Sequence, residues 1–95
     1  MSPILRASAR FWEGYDALTK EAREAADKQY ETFSKNPLHP SLHLKPVGDF
    51  WSVRVTRGVR ALAIRRGDEF FWFWIGPHDD YERLIRGVTS GPAGS

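Results

Sequence analysis

Apolar residues recur at a helical period in the first third of the chain and at a period of two beyond it. Phe11, Trp12, Tyr15 and Leu18 fall at helical spacing behind Ser8, which can cap the helix they predict. Thr19 is placed to cap a second helix, with Glu21 in its first turn at the positive end of the helix dipole. Ala22, Ala25, Ala26, Tyr30 and Phe33 give that helix a narrow apolar stripe, and its small residues permit close packing on a neighbour or a sheet. Asn36-Pro37 ends it, because the residue before a proline is driven out of the helical region. The two helices meet near Leu18-Thr19 and form an αα-hairpin.

After Pro46 the pattern changes. Trp51, Val53 and Val55 alternate with Ser52, Arg54 and Thr56, as in a half-buried strand. Arg57-Gly58 predicts a turn, residues 59–66 a second strand, Arg66-Gly67-Asp68 another turn, and residues 69–75 a third strand. From Phe70 onward the third strand is apolar on both parities, which predicts a central strand or one covered on both faces. Residues 42–46 and 3–5 are further strand candidates. Asp79, Asp80, Tyr81, Leu84 and Ile85 predict a short terminal helix. The expected fold is α+β, an N-terminal helical hairpin packed on a mostly antiparallel sheet of four to five strands. It forms a single domain over residues 1–88, with a flexible Gly-, Ser- and Pro-rich tail over 89–95.

Composition narrows the class. Ninety-five residues with 41% hydrophobic content make one folded domain rather than a disordered chain. The absence of cysteine excludes disulfides and thiolate metal sites. No apolar run approaches the roughly 18 residues of a membrane span, and Arg6 and Arg10 interrupt any signal-peptide core. The expectation is a soluble cytoplasmic protein with no membrane partner.

Charge adds a direction. The net charge is only +2, but residues 42–67 carry six bases (Lys45, Arg54, Arg57, Arg60, Arg65, Arg66) against the single acid Asp49. The first 35 residues balance six acids with six bases. A basic sheet beside a neutral helical layer fits a polyanion or an acidic protein partner, and it equally fits a solvated face with ordinary surface arginines.

Parity then selects candidate chemistry. With Trp51, Val53 and Val55 toward the helices, Ser52 and Arg54 face the other side, and Arg60 opens the next strand within reach of Arg54. His78 shares parity with Trp72 and Trp74 and follows Gly76-Pro77, which should end strand pairing. The core parity of the third strand stays open at this level, and His78 reads equally as an ordinary helix N-terminal residue. Arginine forks suit a phosphate, and an imidazole suits proton transfer near neutral pH. Together they are the groups that metal-free RNA cleavage by the 2′-hydroxyl requires. His39 and His43 are four apart, but Pro40 between them opposes the helix that would align them, so no metal site is expected and no cofactor is implied. Trp12 and Trp51 fit the core; a core place is also the favoured reading for Trp72 and Trp74, whereas either one on the open face would stack on a base or anchor a partner helix.

The chain resembles the RelE/ParE toxin superfamily of type II toxin–antitoxin systems. The resemblance runs from Phe11 to Ile85 and rests on the order and spacing of short motifs. These are the helical hairpin, Asn36-Pro37, His39-Pro40-Ser41-Leu42, Lys45, Trp51-Ser52-Val53-Arg54-Val55, Arg60-Ala61-Leu62, and Trp74-Ile75-Gly76 leading to His78-Asp79-Asp80-Tyr81. The Trp-Ser-x-Arg segment is similar to the YoeB-like branch. The resemblance implies a cytoplasmic toxin held by a cognate antitoxin protein. RelE-like and YoeB-like members cut mRNA on the ribosome, and ParE-like members poison DNA gyrase; a non-catalytic binding member of the fold is a further alternative. Carried over by position, it implies Arg54, Arg60 and His78 as catalytic residues, with Tyr81 as a match for the family's terminal tyrosine; Lys45, Arg57 and His43 are the expected RNA contacts beside them. Ser52 departs from a second lysine found in some members, no glutamate matches the base proposed for the YoeB-like branch, and the spacing of Tyr81 from His78 is unusual.

Overall fold

The computed structural model describes residues 6–89; the strand candidate at 3–5 and the end of the tail, 90–95, lie outside them. Three helices, α1 (Ala9–Asp16), α2 (Lys20–Lys35) and α3 (His78–Thr89), frame four strands, β1 (Lys45–Val47), β2 (Phe50–Thr56), β3 (Val59–Arg66) and β4 (Glu69–Pro77). The strands form one antiparallel sheet in the order β1-β2-β3-β4. α1 and α2 cover one face and α3 crosses the other. No helix among the described residues is long and apolar enough to cross a membrane.

The local signals act as expected in the hairpin. Ser8 Oγ accepts from Phe11 N at 3.2 Å and Thr19 Oγ1 accepts from Ala22 N at 3.1 Å, so each helix begins with a side-chain cap worth about 1 kcal/mol. The cap that ends α2 at Asn36 also turns the chain, because Asn36 Oδ1 accepts from Leu38 N at 3.1 Å. Pro40–Leu42 then form a 3₁₀ turn rather than the start of a strand, and β1 begins only at Lys45. The proline pre-sets the turn, and His43 leaves it in the left-handed region at φ 49°.

The core lies between the hairpin and the sheet. Phe11 and Ala26 pack with Val53, Val55, Ala61, Ala63, Trp72 and Ile75, all buried. Each large side chain removed from water there contributes about 1.5–3 kcal/mol. Trp12 packs half-buried against this core. Trp51 is also half-buried and meets Phe70 edge-on at 5.9 Å, with the Arg65 guanidinium over its ring at 5.6 Å. Gln29 of α2 donates to the carbonyls of Ser41 and Arg54 at 3.2 and 2.9 Å, which ties the helix to the turn and to β2.

β4 is the last strand of the sheet, not a central one, and both its faces are nevertheless covered. α1 packs on one face and α3 on the other. The segment ahead of α1 bridges its outer edge in parallel, with Ser8 N to Trp72 O and Trp72 N to Arg6 O both at 2.9 Å. A bulge reconciles the strand with its sequence. Leu62 pairs with Trp74 and Ala63 with Trp72, so Phe73 is the extra residue. Trp72 and Ile75 therefore enter the hairpin core, while Phe73 and Trp74 point to the α3 side; Phe73 meets Phe50 at 4.8 Å. The expectation that Trp72 and Trp74 share one face fails at this bulge. Pairing also continues where Gly76-Pro77 was expected to end it, through Arg60–Gly76 and Val59–Pro77. The chain leaves the sheet only at His78, whose N–H bonds Gly58 O at 2.8 Å. α3 runs to Thr89.

α1 sits so close to β4 that a Cβ on Gly14 would lie 2.2 Å from Ile75 O. Gly14→Ala is therefore expected to destabilise the domain by about 1–3 kcal/mol in urea unfolding, as overpacking does. Gly58→Ala, where a Cβ would meet nothing within 4 Å, is expected to stay within about 0.5 kcal/mol of the parent.

Candidate anion-binding site

The register of β2 on β3 places Arg54 directly opposite Arg60. Lys45 pairs with Ser52 one strand away, and His43 reaches in from the 3₁₀ turn. These five residues line one open cleft of about 150 Å³ on the α3 face. No carboxylate lines it. Two like charges directly opposite in a sheet are destabilising, so this arrangement costs the fold stability unless an anion lies between them.

Arg60 is held from behind. Its Nη1 donates to the carbonyls of Thr56, Arg57 and Val59 at 2.6, 3.1 and 3.1 Å, pinning the guanidinium to the β2–β3 turn. A bulge between Arg54 and Thr56 accompanies this turn. Burial and then the neighbouring Arg54 charge push the Arg60 pKa down from its ordinary value, and Tyr81 and Glu82 partly oppose them. Arginine nonetheless stays protonated at any physiological pH. The result is a fixed, partly desolvated cation whose nearest like charge would be relieved by a bound phosphate.

Of the residues expected at the site, the fold brings together Arg54, Arg60, Lys45 and His43. Arg57 lies at the exposed apex of the turn and lends the cleft its carbonyl rather than its charge. His78 opens α3 at the side of the cleft without lining it, with Nε2 3.9 Å from Glu82 Oε1 and its ring centroid 5.9 Å from that of Tyr81. Tyr81 is the clear departure. It is 3% exposed and donates its hydroxyl to Ser52 Oγ at 3.1 Å, so its ring anchors α3 to the sheet and is closed to a stacking base. Ser52 faces the expected side but is buried beneath that ring at 2% exposure. Glu82 was not singled out from sequence. Its signal was the spacing of four from His78, which aligns the two on one face of a helix.

A chain of the RelB–RelE antitoxin–toxin complex from Methanococcus jannaschii matches with a TM-score of 0.69 at 11% identity, covering 84% of this chain and 98% of that one. The fold is that of the RelE/ParE toxins. The YoeB/ParE toxin from Agrobacterium tumefaciens shares it with a TM-score of 0.63 at 16% identity, covering 82% and 99% of the two chains. A mutant toxin from Helicobacter pylori follows at 0.58 and 14%, covering 79% and 93%. No family model and no curated protein matches the sequence. Identity this low transfers the RelE/ParE fold and not its chemistry. The resemblance noted in the short motifs thus extends to the path of the backbone.

Three outcomes follow from the geometry. Arg54→Gln removes the like-charge opposition and should leave stability equal or raise it by up to about 1 kcal/mol in urea unfolding. Inorganic phosphate should raise the Tm of the parent more than that of Arg54→Gln at matched ionic strength, because only the parent holds both cations. Tyr81→Phe should cost about 1–3 kcal/mol by stranding the Ser52 hydroxyl, and Ser52→Ala in the same chain should recover much of it.

Proposed function

We propose that this chain is the toxin of a toxin–antitoxin pair and that it cuts messenger RNA on the ribosome without a metal ion. The observation that carries this reading is the Arg54–Arg60 pair, two cations held directly opposite each other in a cleft with Lys45 and His43 and no lining carboxylate. The RelE/ParE fold and the antitoxin bound to the Methanococcus jannaschii toxin support the toxin role and a cognate antitoxin partner. The cytoplasm is the compartment this role requires.

The reaction follows from the groups present. Arg54 and Arg60 grip the scissile phosphate, and Lys45 contacts the adjacent backbone. The substrate's 2′-oxygen attacks phosphorus after losing its proton, and the bond from phosphorus to the 5′-oxygen breaks. The products are a 2′,3′-cyclic phosphate and a 5′-hydroxyl that has gained a proton. We assign the first proton to His43, which lines the cleft, and the second to His78, which opens α3 beside the cleft with Glu82 one turn on. Charge accumulating on the phosphorane is met by the two guanidiniums, and removing such a donor typically costs about 3 kcal/mol of transition-state stabilisation. Tyr81 acts beneath the site by seating α3 on Ser52.

The test is induced expression of this chain alone, followed by primer extension on a translated reporter. New 5′ ends within translated codons and arrest of growth are expected from the parent. Arg54→Ala, and His78→Ala or His43→Ala, should each reduce cleavage about 100-fold or more. Arrest with intact mRNA, undiminished in His78→Ala, would reject nuclease activity and direct the search to gyrase. Absence of arrest would reject the toxin role itself.

A further inference from the structure

A second groove opens along β4, between the start of α1 and α3. It is lined by Arg10, Trp74, Asp80, Arg83 and Leu84, and Trp74 forms its floor. The bulge at Phe73 is what puts Trp74 here rather than in the hairpin core. Trp74 is half-buried, and its ring lies over Gly76, where a Cβ would sit 2.7 Å from the ring. The missing side chain at Gly76 is therefore a condition of the ring's position. Arg83 is paired with Asp80 across one turn of α3, which neutralises the only acid in the groove. Arg10 has no hydrogen-bond or ion-pair partner among the described residues. The groove thus offers an aromatic surface under a net positive rim.

Its position relative to the cleft is set by the register. Ser52 pairs with Leu62, and Leu62 with Trp74, so cleft floor and groove floor stand in one row across three strands. At the usual inter-strand spacing that is about 10 Å. The adjacent row runs Arg54, Arg60, Gly76, which places the phosphate-binding pair beside Gly76 and its covering ring.

We propose that this groove is a second RNA contact, in which one unpaired base of the strand held at the cleft stacks on Trp74 while Arg10 meets a flanking phosphate. This rests on the cleft binding RNA, as proposed above. An aromatic platform beside a cationic track is how single strands are held without reading base edges. Such stacking tolerates any base, so the groove would add affinity and set the register of the strand over the cleft without imposing a sequence.

The test uses the full chain and a fluorescein-labelled single-stranded oligoribonucleotide with 2′-O-methyl sugars, which cannot be cut by its own 2′-oxygen. Binding is followed by anisotropy at low salt for the parent, Arg10→Ala, Trp74→Leu, Trp74→Phe and Arg54→Gln, each checked for folding by circular dichroism. Arg10→Ala carries little folding risk because the side chain is exposed and unpaired. Trp74→Leu is expected to weaken binding about tenfold, Trp74→Phe less, and Arg10→Ala several-fold. An abasic position scanned along the probe should cost the parent about the same factor at one place and cost Trp74→Leu nothing there, which identifies the stacked base. Unchanged affinity in both Trp74→Leu and Arg10→Ala, with loss in Arg54→Gln, would overturn the groove and leave the cleft standing. An abasic penalty felt equally by Trp74→Leu would also overturn it. A parent that binds no probe would overturn the RNA reading of the cleft, and this inference with it.

Discussion

The bulge at Phe73 is the constraint on which most of this structure depends. A regular strand sends alternate residues to opposite faces, so Trp72 and Trp74 would share one side and Phe73 and Ile75 the other. One extra residue breaks that alternation. Trp72 and Ile75 both reach the hairpin core, and Phe73 and Trp74 both face α3. A single nine-residue strand then serves two layers. It supports α1 on one side, closely enough that only glycine fits at position 14, and floors the groove under α3 on the other. It also delivers the chain at His78 beside the β2–β3 turn, where Arg60 is anchored.

The cationic cleft is built at the expense of the fold. Arg54 and Arg60 face each other with no carboxylate between them, in a sheet whose hydrophobic side is otherwise well satisfied. The backbone carbonyls of the turn hold Arg60 in place and prevent it from swinging away from its like-charged neighbour. Structures that keep such opposition gain from it at a bound state, because an anion turns two repulsions into two attractions. Exposed ion pairs elsewhere, such as Arg6 with Glu69 or Lys35 with Glu31, contribute little by comparison. The same face also carries Phe50, Phe73 and Trp74.

Much of the fold was legible in order. Ser8 and Thr19 cap the helices that follow them in sequence, and the alternation from Trp51 to Thr56 sets which side of β2 is core. The site was legible in part. Arg54 and Arg60 could be paired from strand parity and one short turn, both of which are local. The burial of Tyr81 was not legible, because a tyrosine near a helix start looks the same whether its ring is solvated or laid on a buried serine. Glu82 was visible only as a spacing. His78 was expected on the face of the arginines by parity, yet it stands beside the cleft lining, which is a matter of how α3 leaves the sheet.

The sequence by itself determined the α+β class, the helical hairpin, the sheet and the sign of its open face. Those follow from periodicity, caps and the distribution of charge, all of which are read within a few residues. Tertiary structure alone decided three things. It placed β4 at the sheet edge while covering both its faces. It divided the tryptophans between two layers through one inserted residue. It closed Tyr81 and Ser52 against each other beneath α3. The reason is the same in each case. Strand order, bulge position and helix placement are settled by how whole elements share a core, and no local pattern carries that information.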